Sequence, residues 1–151
     1  MHSLIKTTWI PTSLERAWEF FSSPDNLSCI TPQDLDFHIL DRSQSMKMFA
    51  GQIIEYTVKP FPLYTVHWIT EITHVEPMKF FVDEQRFGPY RFWHHKHFFI
   101  PENGGVRMQD IIHYKLPFGV LGVAIEPFLV RPKLEEIFSF REEQIKKIFS
   151  D

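Results

Sequence analysis

Residues 90–116 read YRFWHHKHFFIPENGGVRMQDIIHYKL, two runs of alternating side chains joined by Asn103-Gly104. A two-residue type I′ hairpin needs positive φ at both central positions, and Asn-Gly is its strongest sequence signal. The turn pairs Glu102 with Gly105, and counting outward sets Phe99 opposite Met108, His97 opposite Asp110, His95 opposite Ile112 and Trp93 opposite Tyr114. Directly opposed residues share a face, so these eight side chains form one surface of a sheet. His94 and Lys96 point the other way, with Arg107, Gln109, Ile111, His113 and Lys115 on the solvent side. The run of imidazoles in WHHKH is thereby divided, two inward and one outward.

Working outward, the same β-branched and aromatic signature recurs in Leu4–Ile10, Phe37–Asp41, Gln52–Lys59, Tyr64–Val75 and Lys79–Phe87, giving about seven strands in all. The breaks fall at Gly51, Pro60-Phe-Pro62, Glu76-Pro77, Gly88-Pro89 and Asn103-Gly104-Gly105. Connections this short imply an antiparallel meander. Asp83 and Gln85 lie in the strand ahead of Gly88-Pro89. A plain two-residue loop would align Asp83 with His94, whereas one bulged residue aligns it with His95, and the bulged register is the one expected.

Two regions have a different period. Leu14, Ala17, Trp18 and Phe21 recur at helical spacing after Thr12 and Glu15, which have capping-box spacing. A short second helix is expected over Pro24–Ile30. Toward the end of the chain Leu134, Ile137, Phe138, Arg141, Ile145, Ile148 and Phe149 make one apolar stripe, opposed by Glu135, Glu136, Glu142, Glu143, Lys146 and Lys147. This is a helix of about five turns with Pro132 at its first position. Pro127 and Pro132 predict that Leu121–Val130 forms a separate or kinked segment. The expected architecture is α+β, a single domain over residues 1–151: a curved seven-stranded antiparallel sheet round a long C-terminal helix, with two short helices after the first strand.

The 151 residues carry a net charge of −3 and a pI near 6.2, without the basic excess of a nucleic-acid binder. The single cysteine, Cys29, excludes an internal disulfide, and MHSLIKTTWIP lacks a signal-peptide layout, so a cytoplasmic protein is expected. Leu116–Val130 is the most apolar run, but it contains Glu126 and falls short of the roughly 20 residues needed to cross a bilayer. It is expected to be a cavity lid or, alternatively, a protein-binding surface. Sixteen phenylalanines with four Trp and four Tyr suit either a dense core or a wide apolar cavity.

The inner face carries several possible chemistries. His-x-His on one strand face is a zinc-ligand spacing, with Asp110 as a third group, but an aspartate opposite a histidine is equally a satisfied pair, and no metal or cofactor is assigned. Covalent catalysis lacks a nucleophile near the pair. General acid–base chemistry by His95, His97 and Asp110 fits their residue types. So does a polar patch that orients a ligand in an apolar cavity, and so does a filled core with a buried His–Asp–Arg network. Arg141, in the middle of the apolar stripe, needs a carboxylate, which Asp110 or Asp83 can supply, unless its guanidinium reaches the helix edge.

The segments FVDEQRFGPYRFWHHKHFF, MQDIIHYKLPFGVLG and LEEIFSFREEQIKKIF resemble the START-like, helix-grip superfamily also known as SRPBCC. Within it the chain is similar to a bacterial group of ligand-binding proteins near the polyketide cyclases. The resemblance covers essentially the whole chain and implies a deep cavity between sheet and C-terminal helix for a hydrophobic or aromatic small molecule, lipid or polyketide-like. The group pattern falls on Asp83, Gln85, Trp93, His95, His97, Asp110, Tyr114 and Arg141. Members of the superfamily include carriers, cyclases, aromatases and chaperone activators. A ligand binder that is a monomer or weak homodimer is therefore expected, with a cyclase using a His–Asp pair as the alternative.

Overall fold

The computed structural model describes residues 1–41 and 47–150. Seven strands, β1 (His2–Ile10), β2 (His38–Asp41), β3 (Gln52–Phe61), β4 (Tyr64–Glu76), β5 (Phe80–Phe87), β6 (Phe92–Glu102) and β7 (Gly105–Lys115), form one antiparallel sheet. The spatial order is β1-β7-β6-β5-β4-β3-β2, so β1 pairs with β7 and the remaining strands follow as a meander. Asn103 and Gly104 both have positive φ, 52° and 74°, and the hairpin they close has the expected register, with Trp93 opposite Tyr114 and His97 opposite Asp110. Burial alternates strictly along both strands from Trp93 to Phe99 and from Val106 to Tyr114. Asp83 pairs with His95, as the bulged register requires.

Helix α1 (Leu14–Phe21) crosses from β1, but its N-cap is Ser13, whose hydroxyl accepts from the Arg16 amide, and not Thr12. Pro24–Ile30 closes as a 3₁₀ turn, not an α-helix. Gly105 makes the end of β1 possible: a Cβ there would stand 2.5 Å from the Ile10 carbonyl oxygen.

At the C-terminus Leu121–Val130, expected as a separate or kinked segment, is not separate from the last helix. Helix α2 (Gly119–Ile125) runs through a π-helical turn, Glu126–Val130, directly into α3 (Arg131–Ile148). Pro127 has no N–H to give to the helix ladder, and its ring would strike the carbonyl four residues back. The wider π turn accommodates it without ending the helix, and Pro132 lies in the first turn of α3, where prolines are tolerated.

The stripe of α3 faces the concave side of the sheet. Toward its C-terminal end, Ile145 and Phe149 pack with Ile10, Ala17, Ile30, Phe81, Phe99, Val106 and Met108. Toward its N-terminal end, Leu134 and Phe138 pack with Leu4, Trp93, Ile112 and Tyr114. Between these two apolar clusters the same sheet face carries His95, His97 and Asp110, all buried. The described helices include none long and apolar enough to cross a membrane.

Candidate functional site

A pocket of about 420 Å³ lies between the sheet and the C-terminal helix. One wall is aromatic: Tyr56 stacks on Trp68, Trp68 meets Trp93 edge-on at 5.3 Å, and Tyr90 lies 4.8 Å from Trp93. The other wall comes from the helix, through Ile125, Leu129, Val130, Leu134, Ile137 and Phe138. Phe61 and Tyr64 of the β3–β4 turn and Phe118 also line it. Leu63, Val120 and Phe128, close in sequence to the lining residues Tyr64, Phe118 and Leu129, are exposed. Val120, Leu121 and Val123 are exposed while Ile125 also lines the pocket, so Leu116–Val130 contributes both to the wall and to the surface.

The polar end of the pocket is built on three adjacent strands. Asp83 of β5 and His95 and His97 of β6 face the pocket, and Asp110 of β7 lies behind the two imidazoles at 2% exposure. Alternation puts His95 and His97 on one face, and their rings lie 3.7 Å apart between centroids. His95 Nε2 is 2.9 Å from Asp110 Oδ1, and its Nδ1 is 3.5 Å from Asp83 Oδ2. His97 Nε2 is 2.7 Å from Asp83 Oδ2, while its Nδ1 is 2.9 Å from Asp110 Oδ1 without the angle of a hydrogen bond. The outer ring face of His97 is covered by Phe81 at 4.1 Å.

Charge in this cluster is set by competition between burial and pairing. Burial alone would raise the Asp110 carboxyl, but the hydrogen bond from His95, the close contact with His97 and the charge of both imidazoles outweigh it and hold Asp110 far below the usual carboxylate range. Burial likewise opposes ionisation of Asp83, and His95 and His97 again reverse the direction. The two imidazoles diverge. Burial and the neighbouring charge of His97 push His95 down, whereas the two carboxylates overcome burial and push His97 up. Two adjacent imidazolium rings would repel, so the proton settles on one.

The eight residues expected at the site do not all reach the pocket. Asp83, Trp93, His95, His97 and Arg141 line it. Gln85 clamps the Gly88–Tyr90 loop instead: its amide donates to the Tyr90 carbonyl at 2.6 Å and accepts from the Tyr90 amide at 3.1 Å. Tyr114 donates its hydroxyl to Glu126. Arg141 is half-buried, with 12% of its side chain exposed. Its Nη1 lies 3.8 Å from Asp110 Oδ1, its guanidinium carbon lies 4.8 Å over the Phe138 ring, and its Nε has no partner.

Sequence reasoning missed Glu126 as a structural residue. It is 4% exposed, inside the π turn, and gathers Tyr114, Arg131 Nε at 3.2 Å and His2 Nδ1 at 3.5 Å. The available signal was a lone carboxylate in an apolar run, which must be paired if buried. Trp68 was also missed; its Nε1 is buried without a partner at the pocket wall.

No family model and no curated protein matches this sequence. Solved structures do share its fold. Protein CV1439 from Chromobacterium violaceum superposes with a TM-score of 0.76 at 11% identity, over 100% of this chain and 99% of that one. Ginseng major latex-like protein 151 from Panax ginseng gives 0.71 at 12% identity, over 98% and 97%. TTHA0849 from Thermus thermophilus gives 0.71 at 14% identity, over 97% and 99%. The likeness extends over whole chains and establishes the helix-grip architecture.

Proposed function

We propose that the protein binds a hydrophobic or aromatic small molecule, lipid or polyketide-like, between the sheet and the C-terminal helix. The observation that carries this reading is the continuity of the pocket. Its apolar wall runs from Phe61, Tyr64 and Phe118 inward to Trp68, Trp93 and Phe138 and ends on the polar group of Asp83, His97 and Arg141. Apolar walls with a few convergent polar groups are the usual make-up of a small-molecule site. The walls supply affinity by removing ligand surface from water, at about 25 cal/mol per Å². The polar end fixes orientation, because a buried donor such as Trp68 Nε1 or Arg141 Nε gains most from a ligand that brings an acceptor.

Native mass spectrometry of protein purified without denaturation tests the proposal. The expected result is a bound species of a few hundred daltons, released on denaturation and extractable into organic solvent. A protein that carries no such species and takes up none from a panel of lipids and aromatic polyketides does not act as a binder.

A second reading, a cyclase-type enzyme, is favoured by one feature: two carboxylate–imidazole pairs with opposite proton preference at the closed end of the pocket. His97, pushed up, is suited to donating a proton and His95, pushed down, to accepting one. Turnover of a polyketide-like substrate that His97→Gln leaves unchanged would remove this reading while leaving the binding one intact.

A further inference from the structure

All four ring nitrogens of His95 and His97 face a carboxylate oxygen. His95 directs Nε2 at Asp110 and Nδ1 at Asp83, and His97 directs Nδ1 at Asp110 and Nε2 at Asp83, at 2.7–3.5 Å. A neutral imidazole has one N–H, so its other nitrogen presents a lone pair. Satisfying all four contacts with protons would need two imidazolium rings with centroids 3.7 Å apart, beside the Arg141 guanidinium. With fewer protons, a lone pair is left pointing at a buried carboxylate. The arrangement is short of a donor at one place, the side of the rings facing Asp83 and the pocket.

We propose that this place is a divalent transition-metal site formed by Asp83 Oδ2, His95 Nδ1 and His97 Nε2, with Asp110 as the supporting carboxylate behind it. The three donor atoms lie within 4.8 Å of one another. A dication there takes the place of protons on the Asp83 side, and each imidazole keeps one N–H, that of His95 hydrogen-bonded to Asp110 and that of His97 2.9 Å from the same oxygen. Ligating histidines characteristically give the second N–H to a carboxylate, which fixes tautomer and ring orientation. Two imidazoles and one carboxylate are a donor set for a first-row dication such as zinc or iron(II).

Tetrahedral ligands about 2.05 Å from zinc stand roughly 3.3 Å apart. Asp83 and His95 are at 3.5 Å, and binding separates Asp83 from His97, now 2.7 Å apart, by about 0.6 Å. Three protein ligands leave a coordination position open on the pocket side. The two carboxylates balance the dication, and the Arg141 charge that remains favours an oxygen of a pocket ligand in that position. Sequence reasoning weighed Asp110 as the third ligand and assigned no metal because an aspartate opposite a histidine is equally a satisfied pair; the third ligand proposed here is Asp83 of β5, which pairs with His95.

The test is calorimetric titration of Zn²⁺ into chelator-treated protein, together with the visible spectrum of the Co²⁺ form. One equivalent is expected, with an intense Co²⁺ band of low-coordinate, nitrogen-ligated type. Asp83→Asn and His97→Gln should each weaken binding at least 100-fold, and Asp110→Asn by about 10–100-fold. His94 and His113, paired across the outer face, are the control: the double variant His94→Gln, His113→Gln should bind as the wild type does. Wild-type protein without a stoichiometric site, or binding lost in the outer-face variant and kept in Asp83→Asn, overturns the proposal. The wild-type readings hold even if a variant fails to fold. A protein that retains an apolar ligand but takes up no metal defeats the metal site alone, and one that binds metal but no apolar ligand defeats the ligand-binding reading alone.

Discussion

Asp110 hydrogen-bonds diagonally across the β6–β7 pair, its Oδ1 2.9 Å from His95 Nε2, although its register partner is His97. With His97 Nδ1 also 2.9 Å from the same oxygen, one carboxylate holds both imidazoles. Removing it leaves them buried without their common partner. Asp110→Ala should therefore cost about 3–5 kcal/mol in the metal-free protein, the range for breaking a buried charged pair. Urea unfolding at constant m-value measures this, and a loss under about 1 kcal/mol would show that the network contributes little to the fold.

Tyr114 and Glu126 tie the last strand to the π turn. The hydroxyl of Tyr114 is the only polar atom of a side chain otherwise packed against Leu4, Trp93 and Phe138. Tyr114→Phe takes one of three partners from the buried Glu126, and Glu126→Gln weakens the acceptor for Tyr114 and Arg131. Each should cost about 1–3 kcal/mol. Because they share one bond, the double variant should lose less than the sum of the single losses, by about 1 kcal/mol or more. Strict additivity in the double-mutant cycle would mean that the two groups act independently.

The parts of this structure that follow from local rules were legible before it. Asn103-Gly104 imposed a turn whose geometry carries the register of His95, His97 and Asp110, since a slip of one residue would exchange the faces of the whole strand. The stripe on α3 was equally plain, although whether Arg141 turns to a carboxylate or to the helix edge was left open. What was not legible depends on elements brought together from far apart in the chain. Asp83 and Gln85 sit two residues apart on one face, yet one reaches the pocket and the other clamps Tyr90, a difference made by the loop at Gly88. Pro127 and Pro132 predicted a separate or kinked segment over Leu121–Val130, but Glu126 is anchored by Tyr114, Arg131 and His2, and the helix runs on through a π turn. The likeness to other solved structures supplies the architecture and no more, because 11–14% identity carries no side chains across.

Filling the pocket should separate binding from folding. Val66 of β4 is buried and lines the pocket, so Val66→Trp places an indole where a ligand would lie. Because open volume is already present, the substitution should be neutral or stabilising, by about 0.5–2 kcal/mol. Bound ligand in native mass spectra should fall at least tenfold. Unchanged ligand content with a raised thermal midpoint would show that the ligand lies elsewhere.

The hairpin turn offers a test of how the site is placed. Gly104 holds φ at 74°, and a Cβ there meets nothing within 4 Å, so any cost of substitution comes from the backbone and not from a clash. Gly104→Val puts a β-branched residue in the left-handed region, at about 1–2 kcal/mol. Asn103→Asp, which tolerates its φ of 52°, should cost much less. The turn sets the register of β6 against β7, so the Val variant should also speed amide hydrogen exchange at Ile100 and Val106 before it affects β3 or β4. Equal losses in the two variants would mean that the register is held by the buried His–Asp cluster and not by the turn.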